Sequence, residues 1–285
     1  MYDWLTDHKI PLGVWLRDLM NGLTTHAQGV FDTISMSLGS LIDGLTAGLE
    51  IIPPLLFIAL VAAAAWWLHR SIALVAFAVL SLLLIVNLGY WTETIQTLTL
   101  VFCATIVCVV VGVPLGIAAA HRPWVYTALR PFLDLMQTIP TFVYLIPTLV
   151  LFGLGAVPGL ISTVIFAIPA PIRLTYLGLS SVPLSLREAA AAFGATKRQL
   201  LYKVELPHAL PTIMAGITQC IMLSLSMVVI AALVGADGLG KPVVRALNTV
   251  NIGMGFEAGL AIVIRAILLD RICKMPEPRR SAKGR

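Results

Sequence analysis

The chain has 285 residues, 59% of them hydrophobic and 12% charged, with a formal net charge of +5. A soluble domain carries about 25% charged residues, so this chain has too little polar surface to cover a soluble globule. The net positive charge is no nucleic-acid footprint either, because Lys and Arg gather at the ends of apolar runs and in the C-terminal tail, with no basic patch interleaved with aromatics.

Residues 1–50 are mixed and amphipathic. Leu12, Trp15, Leu19 and Leu23 recur at helical spacing, as do Phe31, Ile34, Leu38, Leu41, Leu45 and Leu49. The segment reads as an extramembrane or interfacial helix, or as one packed on the rest of the protein. It does not read as a secretory leader. Asp3 and Asp7 stand where basic residues belong, and the first long apolar run begins near Ile51.

Seven apolar segments follow, near 52–68, 71–89, 95–120, 132–153, 157–178, 208–235 and 255–271. Apolar runs of this length imply helices, which satisfy their own backbone in lipid. The expected fold is an all-α polytopic bundle of about seven transmembrane helices. The expected layout is an N-terminal segment over 1–50, a permeation domain over 51–272 and a basic tail over 273–285. If the N-terminus lies outside, the inner connections and tail, with the ends of the spans they join, hold fourteen of the 19 Lys and Arg residues. The positive-inside rule then predicts an outer N-terminus and a cytoplasmic C-terminus. Pro114, Pro140, Pro147, Pro169 and Pro171 fall inside the spans, where each favours a kink.

The long polar interruption on the inner side is PLSLREAAAAFGATKRQLLYKVELP, from Pro183 to Pro207. Ser185 and Glu188 form an S-x-x-E capping box, followed by the helix formers Ala189 to Ala192. Gly194 supplies a left-handed helix end. Thr196 and Gln199 form a second box, opening a helix that is expected to stop before Pro207. The residues predict a helix–glycine–helix elbow, which is either a connection or a docking surface. Glu188 either caps its helix or meets a partner.

The ordered spacing Glu188-Ala189-Ala190, Gly194, then Val204-Glu205-Leu206-Pro207 resembles the signature of permease subunits of bacterial ATP-binding-cassette importers, with Val204 where Ile is usual. Further stretches resemble the glycine betaine/choline branch: MQTIPTFVYLIP at Met136–Pro147, GADGLGKPV at Gly235–Val243 and GFEAGLAIVI at Gly255–Ile264. The resemblance covers roughly residues 50–275. It implies that the elbow is a coupling element comprising Glu188, Ala189, Ala190, Gly194, Val204, Leu206 and Pro207. It also implies two copies of a separate ATPase, a second permease copy, a periplasmic or extracellular substrate-binding protein, and a lipid environment in the bacterial inner membrane. ATP and magnesium would then sit on the ATPase, leaving this chain neither an enzyme nor a cofactor protein. The expected cargo is a quaternary ammonium compound such as choline or glycine betaine. Such cations bind aromatic faces, so Phe142 and Tyr144 are candidates for the path, with Gln137, Thr138, Thr141, Gln219 and Ser224. Helix packing is the competing role for each.

Other signals are decoys. Gly235 to Pro242 nearly spells a phosphate-binding loop, but Pro242 replaces the required hydroxyl and the stretch follows a membrane helix rather than a strand. Cys103, Cys108, Cys220 and Cys273 form no CxxC and read as small hydrophobes. His residues show no metal-ligand spacing, and no nucleophilic triad occurs. Arg265 lies inside the last segment, where the resemblance implies an apolar residue. Either it pairs with a neighbour or the last span sits elsewhere. A stand-alone secondary transporter or channel for small amines is the alternative function, though it leaves the elbow unexplained.

Overall fold

The computed structural model describes residues 11–274, and among these no strand occurs. Helix α1 (Leu12–Glu50) is followed by α2 (Pro54–His69), which turns away from it by 94°. Pro53 and Pro54 force the turn: Pro53 is extended at the cap, and Pro54 fits the first helical position, where no donor is needed. Arg70 then takes a left-handed conformation at φ 47°, and the Ser71 hydroxyl accepts from Leu74 N at 3.4 Å to open α3 (Ile72–Asn87). The two form a hairpin.

Helix α4 (Trp91–His121) contains Pro114. The segment expected as a single span near 132–153 is instead two helices, α5 (Pro123–Thr138) and α6 (Thr141–Phe152), bent by 99°. Pro140 is the cause. It pushes Ile139 into the extended region at ψ 131° and cannot donate to the Met136 carbonyl one turn back. Helices α7 (Ala156–Ala167) and α8 (Pro169–Ser180) run on as one membrane-length unit across Ile168.

After the elbow, α11 (Leu206–Ala231) continues into a short 3-10 turn ending at Val234, then come α12 (Gly240–Thr249) and α13 (Ile252–Cys273). Four helical stretches are long and apolar enough to span a membrane: Trp91–His121, Ala156–Ser180, Lys197–Val234 and Ile252–Cys273. Each bent pair adds one more when counted as a single span, making six. Thus all seven apolar segments are helical, but α3, with 16 residues, reaches only roughly 24 Å against a hydrocarbon core of about 30 Å.

The bundle has two distinct ends. At one, α4 ends at His121 and α8 at Ser180, next to the elbow; the α2–α3 turn is tied to the end of α13, His69 Nε2 lying 3.1 Å from the Ile272 carbonyl. At the other, Gly155 N donates to Val234 O at 2.9 Å, and the Thr97 hydroxyl accepts from Leu239 N at 2.9 Å. Helix α1 packs on this second end. Phe31 meets Phe152 edge-on at 5.4 Å, Ser35 Oγ donates to Phe152 O at 3.3 Å, and Ile42 is buried with Cys103, Val157 and Leu160. Its buried line is therefore Phe31, Ser35, Leu38 and Ile42. Ile34, Leu41 and Leu45, expected on that line, stay exposed, as do Leu12, Trp15, Leu19 and Leu23 nearer the start of the helix.

Helix α8 is gripped between α4 and α11 through glycines. A Cβ on Gly116 would come within 2.6 Å of Thr175 Cβ, and one on Gly216 within 2.9 Å of Leu174 Cβ. Together with Gly112, Gly116 forms a G-x-x-x-G pair on α4 facing Pro171, Ile172 and Thr175. Small residues at such contacts let helices associate by packing where lipid gives no hydrophobic drive. Larger side chains fill the remainder. Leu100 and Val101 meet Ile221, Leu225 and Val228, and Leu82 and Ile85 meet Ile264 and Leu268. Cys103, Cys108 and Cys220 are buried thiols.

Arg265 lies within α13 and is 3% exposed. Its Nη1 donates to the Thr94 carbonyl of α4, which settles the question raised by its position: the arginine pairs with a neighbouring backbone oxygen. The pairing is partial, because Arg265 Nη2 and Thr94 Oγ1 are both buried without a hydrogen-bond partner.

Candidate coupling elbow and translocation path

The elbow begins with α9 (Leu184–Ala192). The expected Ser185–Glu188 capping box does not form. Pro183, extended at φ −57° and ψ 136°, takes the cap position, so Ser185 already lies inside the first turn and no side chain caps the helix. The chain reaches helical geometry early because proline presets φ. Glu188 is consequently not used as a cap and is exposed, with Ala189 beside it and Ala190 half-buried.

The stop signal is as the residues dictate. Gly194 is left-handed at φ 78°, Gly194 N donates to Ala191 O at 2.9 Å and Ala195 N to Ala190 O at 3.0 Å. This reciprocal pair is a Schellman motif, which satisfies carbonyls the ending helix would orphan. The second capping box also forms: Thr196 N donates to Gln199 Oε1 at 2.8 Å, and Gln199 N to Thr196 Oγ1 at 3.3 Å. It opens α10 (Lys197–Leu200).

That helix does not stop before Pro207, as expected. A π turn over Leu201–Glu205 carries it into α11, with Leu206 N donating five residues back to Leu201 O. The wider turn shifts the backbone bonding just ahead of the proline, so Pro207 enters a continuing helix without a kink. Leu206 packs with Leu179, Ala209 and Ile213. Val204 and Leu206 are half-buried and Pro207 is exposed.

Three features of the elbow escape the sequence reading. Phe193, just before the glycine, is 93% exposed, alongside exposed Leu184, Leu186 and Tyr202. Glu205 is the reverse case, 2% exposed at the π turn. His121 Nε2 at the end of α4 bonds its Oε2 at 2.8 Å, and Arg187 Nε lies 3.1 Å from Oε1. That second contact is an ion pair without hydrogen-bond alignment. Arg187 also donates from Nη2 to Leu179 O at 2.6 Å. The sequence hints were a large apolar residue in a polar loop and an acid within VELP.

The path candidates divide. Gln137, Thr138 and Phe142 are exposed and Thr141 half-buried, all within five residues of one another around the break at Pro140. Tyr144 is buried and its hydroxyl donates to Met136 O at 2.6 Å. That is the carbonyl Pro140 leaves without a donor, so the phenol seals the break. On α11, Gln219 is exposed, while Ser224 is buried and donates to Cys220 O at 2.9 Å. The glycine-rich stretch after α11 is a packing loop: Gly235 and Gly238 have φ of 87° and 123°, a Cβ on Gly240 would meet Val228 O at 2.5 Å, and Lys241 pairs with Asp237.

The family model of the binding-protein-dependent transport system inner membrane component matches residues 112–281. The chain belongs to this family. The matched stretch starts within α4 and includes the whole elbow, so α1 to α3 precede the common permease module. Curated relatives extend further. The glycine betaine transport system permease protein OpuAB of Bacillus subtilis is 48% identical over 97% of this chain and 98% of its own length. The glycine betaine/carnitine transport permease protein GbuB of Listeria monocytogenes is 47% identical, covering 92% of this chain and 94% of the relative. The glycine betaine/proline betaine permease protein ProW of Escherichia coli is 43% identical, covering 93% and 75%. Among solved structures, an inward-facing MetNI methionine ABC transporter matches with a TM-score of 0.56 and 26% identity, over 62% of this chain and 91% of that one. The protein is thus a multi-pass inner-membrane permease subunit of an ABC importer.

Proposed function

We propose that this chain carries glycine betaine, or a closely related quaternary ammonium compound such as choline, into the cytoplasm. The energy comes from ATP hydrolysed with magnesium on a separate ATPase, and the role is osmoprotective. The observation that carries the coupling is the elbow itself. A rigid Schellman-and-capping-box hinge presents Phe193, Glu188 and Ala189 to solvent at one end of the bundle. An exposed aromatic anchored on fixed backbone has the character of a binding hot spot. The cargo class is supported by the glycine betaine relatives, which match nearly the whole chain.

In this reading two permeases pair with two ATPases. ATP binding draws the ATPases together, the elbows follow, and the path opens outward to a substrate-loaded binding protein. Hydrolysis resets it. The elbow end faces the cytoplasm, and α1 lies at the outer face. Phe142, with Gln137, Thr138 and Thr141, lines the path around the Pro140 break, where an aromatic face attracts a quaternary cation. Gln219 on α11 joins them, whereas Tyr144 and Ser224 act in packing.

The test is co-purification of the detergent-solubilised chain with its ATPase, wild type against Gly194→Asp. Asp tolerates left-handed backbone, and a Cβ at Gly194 meets nothing within 4 Å. The substitution strains the turn at φ 78° without clashing with the bundle, so the disturbance stays in the elbow and loss of ATPase reports on the interface. A recovery reduced roughly tenfold corresponds to a hot-spot loss of about 1.4 kcal/mol. Wild type that purifies alone and drives uptake from an ion gradient would make this a secondary transporter.

A further inference from the structure

We propose that Glu205 is the mechanical joint of the importer, a positioning residue that ties movement of the elbow to the elbow-side ends of α4 and α8. The inference rests on the coupling reading above and adds the route by which the elbow grips the membrane helices.

The geometry is specific. One buried carboxylate at the π turn receives His121 from the last residue of α4 and Arg187 from α9. The His121 ring is itself fixed, because Nδ1 lies 2.9 Å from the Ile117 carbonyl one turn back. Both ring nitrogens thus lie within hydrogen-bond distance of an oxygen, the Ile117 carbonyl and Glu205 Oε2. Arg187 extends the connection to the Leu179 carbonyl near the end of α8. Glu205, at the π turn leading into α11, therefore joins α4 and α9 directly and α8 through Arg187.

A carboxylate that is 3% exposed at its side chain is tolerated only while its partners stay with it. Removing one partner leaves the buried carboxylate less compensated, which destabilises that arrangement. A displaced α9 therefore drags α4 and α8 along rather than sliding past them. The π turn places the group there, since the helix carries one residue more per turn at that point and such bulges recur at functional sites. An elbow joined to the bundle only by Gly194 and apolar contacts would instead be free to tilt by itself.

The test uses the complete importer, permease with ATPase and binding protein, in vesicles with radiolabelled glycine betaine as probe. The quantity read is substrate moved per ATP hydrolysed. Glu205→Gln keeps the volume of the side chain and one acceptor but removes the charge. It is expected to retain the ATPase on co-purification while the transport ratio falls by about fivefold to tenfold, the scale on which residues along a coupling route act. Arg187→Gln, at a half-buried position, is expected to give a similar fall, and the double variant no larger one, because both break the same joint. A purely structural role would lower the amount of assembled complex and leave the ratio of the remainder alone. Wild-type permease that retains no ATPase overturns the coupling reading and the joint with it. Wild type that couples, beside an assembled Glu205→Gln with a ratio within about twofold of it, overturns the joint alone. If Glu205→Gln does not assemble, the ratio of Arg187→Gln decides by the same measure.

Discussion

Tyr144 shows how a residue's chemistry can be read correctly and its role misplaced. Its aromatic ring in a membrane segment suits a quaternary ammonium ion, yet its hydroxyl is committed to Met136 O, the acceptor Pro140 leaves bare. Tyr144→Phe keeps the ring and removes that bond. Leaving a buried carbonyl unsatisfied costs about 1–3 kcal/mol in water-soluble proteins, and polar contacts within membranes average nearer ~0.6 kcal/mol. A drop of a few degrees in the melting temperature of the detergent-solubilised protein, with the KM for transport unchanged, is the expected result. A raised KM at unchanged melting temperature would return Tyr144 to the path. Arg265 is a parallel case. Its charge inside an apolar run was plain in the sequence, but its acceptor is a backbone carbonyl 171 positions away in the chain, which no local pattern encodes.

At the scale of elements, every apolar segment read from the sequence is helical, though the one near 132–153 is two helices rather than one, because length and hydropathy specify helix in lipid but not where it breaks. The elbow's glycine stop and its Thr196–Gln199 box were equally legible, since both rest on residues within one turn of each other. The misreadings share one cause. Pro183, Pro140 and Pro207 each admit several outcomes, and the surroundings choose: an early helix start, a full break, and a π turn. Close helix packing was also invisible, because a glycine in a membrane segment looks the same whether it faces lipid or a neighbour. The two kinds separate experimentally. Gly116→Ala forces its Cβ to within 2.6 Å of Thr175 Cβ and 2.7 Å of Ile172 O, so α4 and α8 must move apart. Overpacking of this kind costs about 1–3 kcal/mol. At Gly44 in α1 nothing lies within 4 Å, and Ala there favours the helix by roughly 0.5–1 kcal/mol. Gly116→Ala should therefore lower the melting temperature and Gly44→Ala leave it level or raise it. Equal shifts at both sites would deny the tight α4–α8 contact.

For the whole molecule, the open question is how the two ends of the bundle sit in the membrane. Lys and Arg weight the elbow end, and the positive-inside rule assigns that end to the cytoplasm. The crossing count depends on α3, whose 16 residues are short for a span. The contact between His69 and Ile272 nevertheless ties the start of α3 to the end of α13, and Tyr90, just past its far end, leads into α4. Three positions settle both matters: exposed Arg70 before α3, half-buried Ala195 in the elbow and exposed Asn251 in the turn between α12 and α13. Each is replaced by cysteine in a chain with its four native cysteines substituted, and intact cells are treated with a membrane-impermeant thiol reagent. Asn251→Cys should label in intact cells, whereas Arg70→Cys and Ala195→Cys should label only after permeabilisation. Labelling of Ala195→Cys from outside would invert the orientation and remove the elbow from any cytoplasmic ATPase. Labelling of Arg70→Cys in intact cells while Ala195→Cys stays protected would mean that the α2–α3 hairpin lies along the outer surface with α1. The chain would then cross five times rather than seven, starting at α4, with the N-terminal helices forming a cover over the path's outer mouth.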